Sequence, residues 1–134
     1  MTYYKVVENR TGRLTSVMTP TRYKVRYHVD EPVRAAIGKL FVFDDLDRAR
    51  FYSTYMMDTF DRLEIWACDA TQVEVAPDWC LTQYTLSMSS DQCDDKYVEE
   101  FWEEISNNRY VHGLCKTPAG TLFADTVTLR RKIQ

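Results

Sequence analysis

LFVFDDLDRARFYSTYMM, residues 40–57, reads as a strand that runs straight into a helix. Leu40–Phe43 is a short unbroken apolar run, the pattern of a strand buried on both faces. Asp44 follows at the position where a carboxylate caps a helix, with Asp45 and Asp47 in the first turn, where the helix dipole favours acids. The spacing predicts a helix to about Met57, with Leu46, Ala49, Ser53 and Met56 or Met57 facing inward and Arg48 and Arg50 outward.

Working outward, Leu63–Cys68 (LEIWAC) resumes strand character, and Val73–Val75 either continues it or pairs with it. Upstream, Tyr3–Glu8 and Arg13–Met18 flank Asn9-Arg10-Thr11-Gly12, a turn signal, and predict a hairpin. Residues 22–29 show strict alternation. Tyr23, Val25, Tyr27 and Val29 fall on one face, and Arg22, Lys24, Arg26 and His28 on the other, until Glu31-Pro32 breaks the strand. Downstream of Ala76-Pro77-Asp78-Trp79 the chain is hard to read, with Tyr84-Thr85-Leu86 as a candidate short strand. Asp94–Ser106 is amphipathic at helical spacing, capped by Ser90 or Asp91. Val98, Phe101, Trp102 and Ile105 form its apolar stripe, with Tyr97 at the edge. After the Thr117–Gly120 turn, residues 121–133 predict one closing strand with a basic end, Arg130-Arg131-Lys132.

Together these elements predict a single α+β domain over residues 1–134, mainly antiparallel sheet, with two principal helices at about 44–57 and 93–106. The length suits one core, and 45% hydrophobic with 28% charged residues excludes disorder. No apolar run reaches the roughly 18 residues of a membrane span, and the first residues enter a strand pattern rather than a signal peptide. The four cysteines, at 68, 80, 93 and 115, contain no close pair and are read as free thiols of a cytoplasmic protein.

Charge is unevenly spread. Residues 1–43 hold eight Lys and Arg against three acids, whereas residues 63–108 hold one base, Lys96, against eleven acids. Such a separation either steers partners or is neutralised where the two poles meet within the fold. The outer face of the second helix carries Asp95, Glu99, Glu100, Glu103 and Glu104, which are the candidate contacts for a basic partner surface. Arg22, Lys24 and Arg26 are the candidate phosphate or nucleotide contacts. Direct nucleic-acid binding is disfavoured, because the tyrosines alternate with that basic stripe on the opposite face of the strand and the chain is acidic overall.

Other chemistries lack their signatures. Cys115 follows His112 at i+3, with Cys80 or Cys93 available in space, yet no close cysteine pair announces zinc, and no metal site is assigned. His28 and His112 lie in no catalytic motif, the four glycines form no phosphate loop, and neither catalytic residue nor cofactor is assigned.

GKLFVFDDLDRARFY at 38–52, EIWACDA at 64–70, PAGTLFADTVTLRRKI at 118–133 and the opening YYKVV together resemble a family of small uncharacterised phage and bacterial proteins. These core and turn motifs cover roughly half the chain and imply a fold without implying an activity; the acidic helix lies outside the shared pattern. The resemblance implies a phage-type protein in the host cytoplasm; joined to the acidic helix face, the expectation is an accessory protein that binds, as an inhibitor, a host defence or nucleic-acid-handling protein with a basic surface. The Phe-Val-Phe, Ala-x-x-Phe, Ile-Trp series also distantly resembles ADP-ribosyltransferase-type folds, which use a late Glu on the NAD ribose. After Glu104 the only acid here is Asp125, and the early strands show no matching His or Arg with its partner Ser or Tyr, so that resemblance implies at most a degenerate nucleotide or NAD pocket. A third expectation is a structural or oligomeric role in which residues 1–18 and 121–133 expose pairing edges.

Overall fold

The computed structural model describes residues 1–17, 23–56, 62–77, 79–80, 95–107 and 115–134. In chain order its elements are β1 (Tyr3–Arg10), β2 (Arg13–Ser16), β3 (Arg26–Tyr27), β4 (Val33–Arg34), β5 (Leu40–Phe43) and α1 (Leu46–Met56). There follow β6 (Leu63–Thr71), β7 (Glu74–Val75), β8 (Trp79–Cys80), α2 (Asp95–Ser106), β9 (Cys115–Lys116), β10 (Thr121–Ala124) and β11 (Thr126–Lys132). This is the expected α+β domain. Among the described residues every strand pairing is antiparallel, and two helices accompany a nine-stranded sheet.

The sheet runs β4-β11-β6-β1-β5-β10-β7, with β2 and β3 branching from β1. β1 is its organising strand. One of its edges pairs with β6 from Tyr3 to Glu8; the other is shared between β5, at Tyr4, and β2, from Val7 to Arg10. Where β5 and β2 part, the Lys5 Nζ donates to the Phe41 carbonyl at 2.6 Å, so a side chain supplies a bond the ladder does not.

The last two strands make the sheet curl. β10 and β11 are separated by Asp125 alone, a step of about 7 Å at full extension. In a flat sheet the four strand spacings between them would span about 19 Å. The sheet therefore bends round into a barrel whose interior collects Val7, Leu14, Val25, Tyr27, Leu40, Val42, Cys68, Ala124, Val127 and Leu129. Its outer face is covered by helices. α1 lies on Val6, Phe43 and Ile65 through Ala49, and α2 lies on Phe41 and Phe123. Leu40–Phe43 is thus sandwiched, with Leu40 and Val42 inside and Phe41 and Phe43 outside, as its unbroken apolar run implied.

Several expectations need correction. The helix cap is Asp45, whose Oδ1 accepts from the backbone N–H of Asp47 (2.8 Å) and Arg48 (3.2 Å), not Asp44. Ala49, Ser53 and Met56 are buried as expected, Leu46 partly so, and Arg48 and Arg50 are exposed. The hairpin turn contracts to Thr11-Gly12, both at positive φ (53° and 85°), the pattern of a two-residue type I′ turn that matches strand twist. Among the described residues 23–29 only Arg26–Tyr27 is laddered, because its partner β2 is four residues long. Val25 and Tyr27 still turn into the barrel, whereas Tyr23 is half-buried against the cluster under α2 and Val29 is exposed. β7 pairs with β10 rather than with β6. Residues 121–133 form two strands, and neither terminal segment is an edge: β1 and β2, like β10 and β11, have neighbours on both sides. Tyr84–Leu86 and the cap candidates Ser90 and Asp91 lie outside the described residues.

Candidate functional site

Four aromatic rings, two on α2 and two on the sheet, hold α2 in place. Phe101 and Trp102 are 1% and 9% exposed and pack ring to ring at 4.9 Å. The Trp102 indole sits 5.1 Å from Phe123 and 6.1 Å from Phe41, and those two rings stack at 5.0 Å. Gly38 completes the seat. A Cβ there would come within 2.0 Å of the indole, and its φ of +66° is itself a glycine conformation. The glycine of the G-x-LFVF motif is thereby explained as the floor under Trp102.

Seating that stripe turns the acids outward. Glu99, Glu100 and Glu103 are exposed, and Glu99 and Glu103, one turn apart, share a line along the helix. Tyr23 reaches from the segment before β3, packs beside the aromatic seat and donates its hydroxyl to the Glu99 carboxylate. One edge of the acidic face is therefore tied to the body of the protein. Asp95 opens the helix; the side chains of Asp95 and Glu104 lie outside the described residues.

The basic stripe does not assemble into a second site. Arg22 lies outside the described residues. Lys24 is half-buried, and its Nζ stands 3.9 Å from the buried Glu8 carboxylate, which also takes Arg10 Nε at 2.9 Å. Arg26 is exposed. The Tyr23 hydroxyl on Glu99 links the segment before β3 to α2.

Two further groups of side chains were not anticipated. Inside the barrel, Lys5 lies beneath Tyr27, its Nζ 5.8 Å from the ring centroid, close to Cys68. Burial lowers the Lys5 ammonium to about 8, with Cys68 opposing, and burial pushes the Cys68 thiol up to about 12. Tyr27 is likewise raised by burial, and its hydroxyl has no hydrogen-bond partner among the described residues. Lys5 and Tyr27 stand on alternating strands, but nothing in the alternation separates an inward lysine from an outward one. Cys68 is a free, buried thiol; Cys80 and Cys115 are Cα partners in the β8–β9 ladder.

The other group is a cleft of about 450 Å3 lined by Asn9, Thr11, Gly12, Arg62, Leu63, Glu64, Lys132 and Gln134. Glu64 is its fixed point, accepting from Asn9 Nδ2 (2.7 Å) and Trp66 Nε1 (3.0 Å), with Lys132 Nζ at 3.3 Å. Burial works to raise its carboxyl, but these donors hold it below the ordinary carboxylate value. No group of three or more His, Cys, Asp or Glu positioned for a metal ion occurs among the described residues, and His112 and Cys93 lie outside them. No helix among the described residues is long and apolar enough to cross a membrane. Comparison with protein-family models, curated proteins and solved structures finds no match to this chain.

Proposed function

We propose that this chain is a phage-type accessory protein that acts by binding, and that the outer face of α2 meets a basic surface on a host protein. The observation that carries this reading is the aromatic seat. Phe101 and Trp102 fix the rotation of the helix, so Glu99, Glu100 and Glu103 are presented together and outward. Asp95 and Glu104 extend the same acidic helix. Acids at i,i+4 repel by a few tenths of a kcal/mol per pair, so the Glu99/Glu103 line costs the isolated helix stability. A partner that supplies Lys or Arg relieves that repulsion and gains steering from the field of the acidic pole. Proteins that handle nucleic acid or take part in defence carry such basic surfaces.

The test is capture of a partner from host lysate at low and high salt, with wild type beside Glu99→Lys/Glu103→Lys. The expected result is one stoichiometric protein, released by salt and not retained by the double reversal, while far-UV circular dichroism stays unchanged. A partner retained equally by the folded double variant overturns the proposal.

A further inference from the structure

The cleft beside Glu64 occupies the mouth of the barrel. Directly opposed strand residues share a face, and the register sets Val7 against Glu64, Lys5 against Trp66 and Lys132 against Trp66. Val7 and Lys5 belong to the interior side, so Glu64, Trp66 and Lys132 do too, with Asn9 next along β1. Barrel mouths are recurrent ligand positions, and about 450 Å3 falls within the roughly 300–1,000 Å3 of small-molecule sites.

Lys132 is there because of an irregularity. Leu129 opposes Cys68, but Arg131 opposes Ala67, so β11 carries one extra residue between them. Without that bulge Lys132 would oppose Ile65, on the face that packs α1. The bulge turns it to the mouth. Bulges at barrel rims and beside active sites commonly re-aim a side chain in this way.

A second cation stands at the cleft. Arg62 is exposed, and its guanidinium has no hydrogen-bond or ion-pair partner among the described residues. Its backbone is fixed, since the Arg62 carbonyl accepts from Asn9 N at 2.8 Å. The carboxylate between them, Glu64, is already engaged by three donors, so the remaining donor capacity of the mouth is cationic. Asn9, Thr11 and Gln134 add polar atoms around it, and Leu63 an apolar wall.

We propose that this mouth binds a small phosphate ester, with Arg62 and Lys132 on the phosphate. A phosphate monoester carries about two negative charges at neutral pH, and guanidinium offers it two parallel hydrogen bonds. The cleft is larger than the anion alone needs, which leaves room for the organic group. This site is separate from the acidic face of α2 and stands or falls independently of it.

Thermal unfolding with millimolar ribose 5-phosphate, a nucleoside monophosphate, inorganic phosphate and the unphosphorylated sugar and nucleoside tests the proposal. The expected result is a Tm rise of several degrees with the esters and none with the neutral compounds. The rise should be lost in Arg62→Gln and in Lys132→Gln and kept in Arg34→Gln, an exposed arginine of β4 outside the cleft. Arg62 is exposed, so its variant remains informative if Lys132→Gln does not fold. No rise with either ester, or a rise that survives Arg62→Gln, overturns the site. An inorganic phosphate response equal to that of the esters overturns the ester assignment.

Discussion

The two helices lie on the same outer face of the barrel and differ in how they are seated and in the charge they turn outward. α1 neutralises itself: Arg48 pairs with Asp44 at 3.7 Å and Arg50 with Asp47 at 3.5 Å, and its buried side is the modest set Ala49, Ser53 and Met56. α2 is anchored by large rings and faces out with Glu99, Glu100 and Glu103. A helix that cancels its own charge needs only the sheet beneath it. α2 instead turns several carboxylates outward from a rigidly seated face, at a cost of a few tenths of a kcal/mol for an i,i+4 pair such as Glu99/Glu103, so the two helices differ in how they are seated and in the charge they present.

The anchoring half of the contrast can be broken most forcefully. Trp102→Ala should lower stability by about 3–5 kcal/mol in denaturant unfolding, the usual cost of removing a large buried aromatic. Gly38→Val should act in the same direction, since its Cβ would meet the indole and its φ is positive. A loss under about 1 kcal/mol for both would mean the rings do not hold α2, and the helices would no longer differ in how they are fixed.

A middle-sized effect tests the barrel on which both helices stand. Lys5 has a folded pKa of about 8 against an ordinary 10.5, so the folded state sheds its proton first. Its contribution to stability therefore rises as pH climbs through 8 and is complete near 10.5. Cys68, at about 12 against 9.0, has the opposite sign and erodes stability above pH 9, with Tyr27 adding to the loss at higher pH. The expected profile gains about 1 kcal/mol between pH 7.5 and 9 and then flattens. Lys5→Met should abolish the gain. A rise that persists in that variant would locate its source elsewhere.

The smallest effect sharpens the description of α1. Arg48→Ala should cost about 0.3–0.5 kcal/mol, and less in high salt, as an exposed i,i+4 pair does. A loss several times larger would show that α1 depends on its charges as more than self-cancellation.

Much of the fold could be read along the chain, for physical reasons that differ by segment. Leu40–Met56 was legible because an apolar run and a 3.6-residue period are strong, local signals. The hairpin was legible from its Thr-Gly turn. Residues 121–133 passed for one strand because both halves alternate; the clue was a slip in phase, with Leu122 and Ala124 inward and then Val127 and Leu129. The bulge that brings Lys132 to the mouth left no such trace, since it depends on register against β6, a strand some sixty residues away. The acidic stripe of α2 was visible in outline through its helical period, whereas the seat under Trp102 needed Gly38, Phe41 and Phe123 to be brought together by pairing.

The single-residue step at Asp125 has a consequence for how sequences of this type can diverge. One added residue there would reverse the phase of β11, driving Val127 and Leu129 out of the barrel and Thr128 and Arg130 into it. Lysine-for-threonine changes on the surface can drift, but the chain length from Thr121 to Leu129 cannot. Relatives of this protein should therefore vary freely in composition around that step and align across it without a gap.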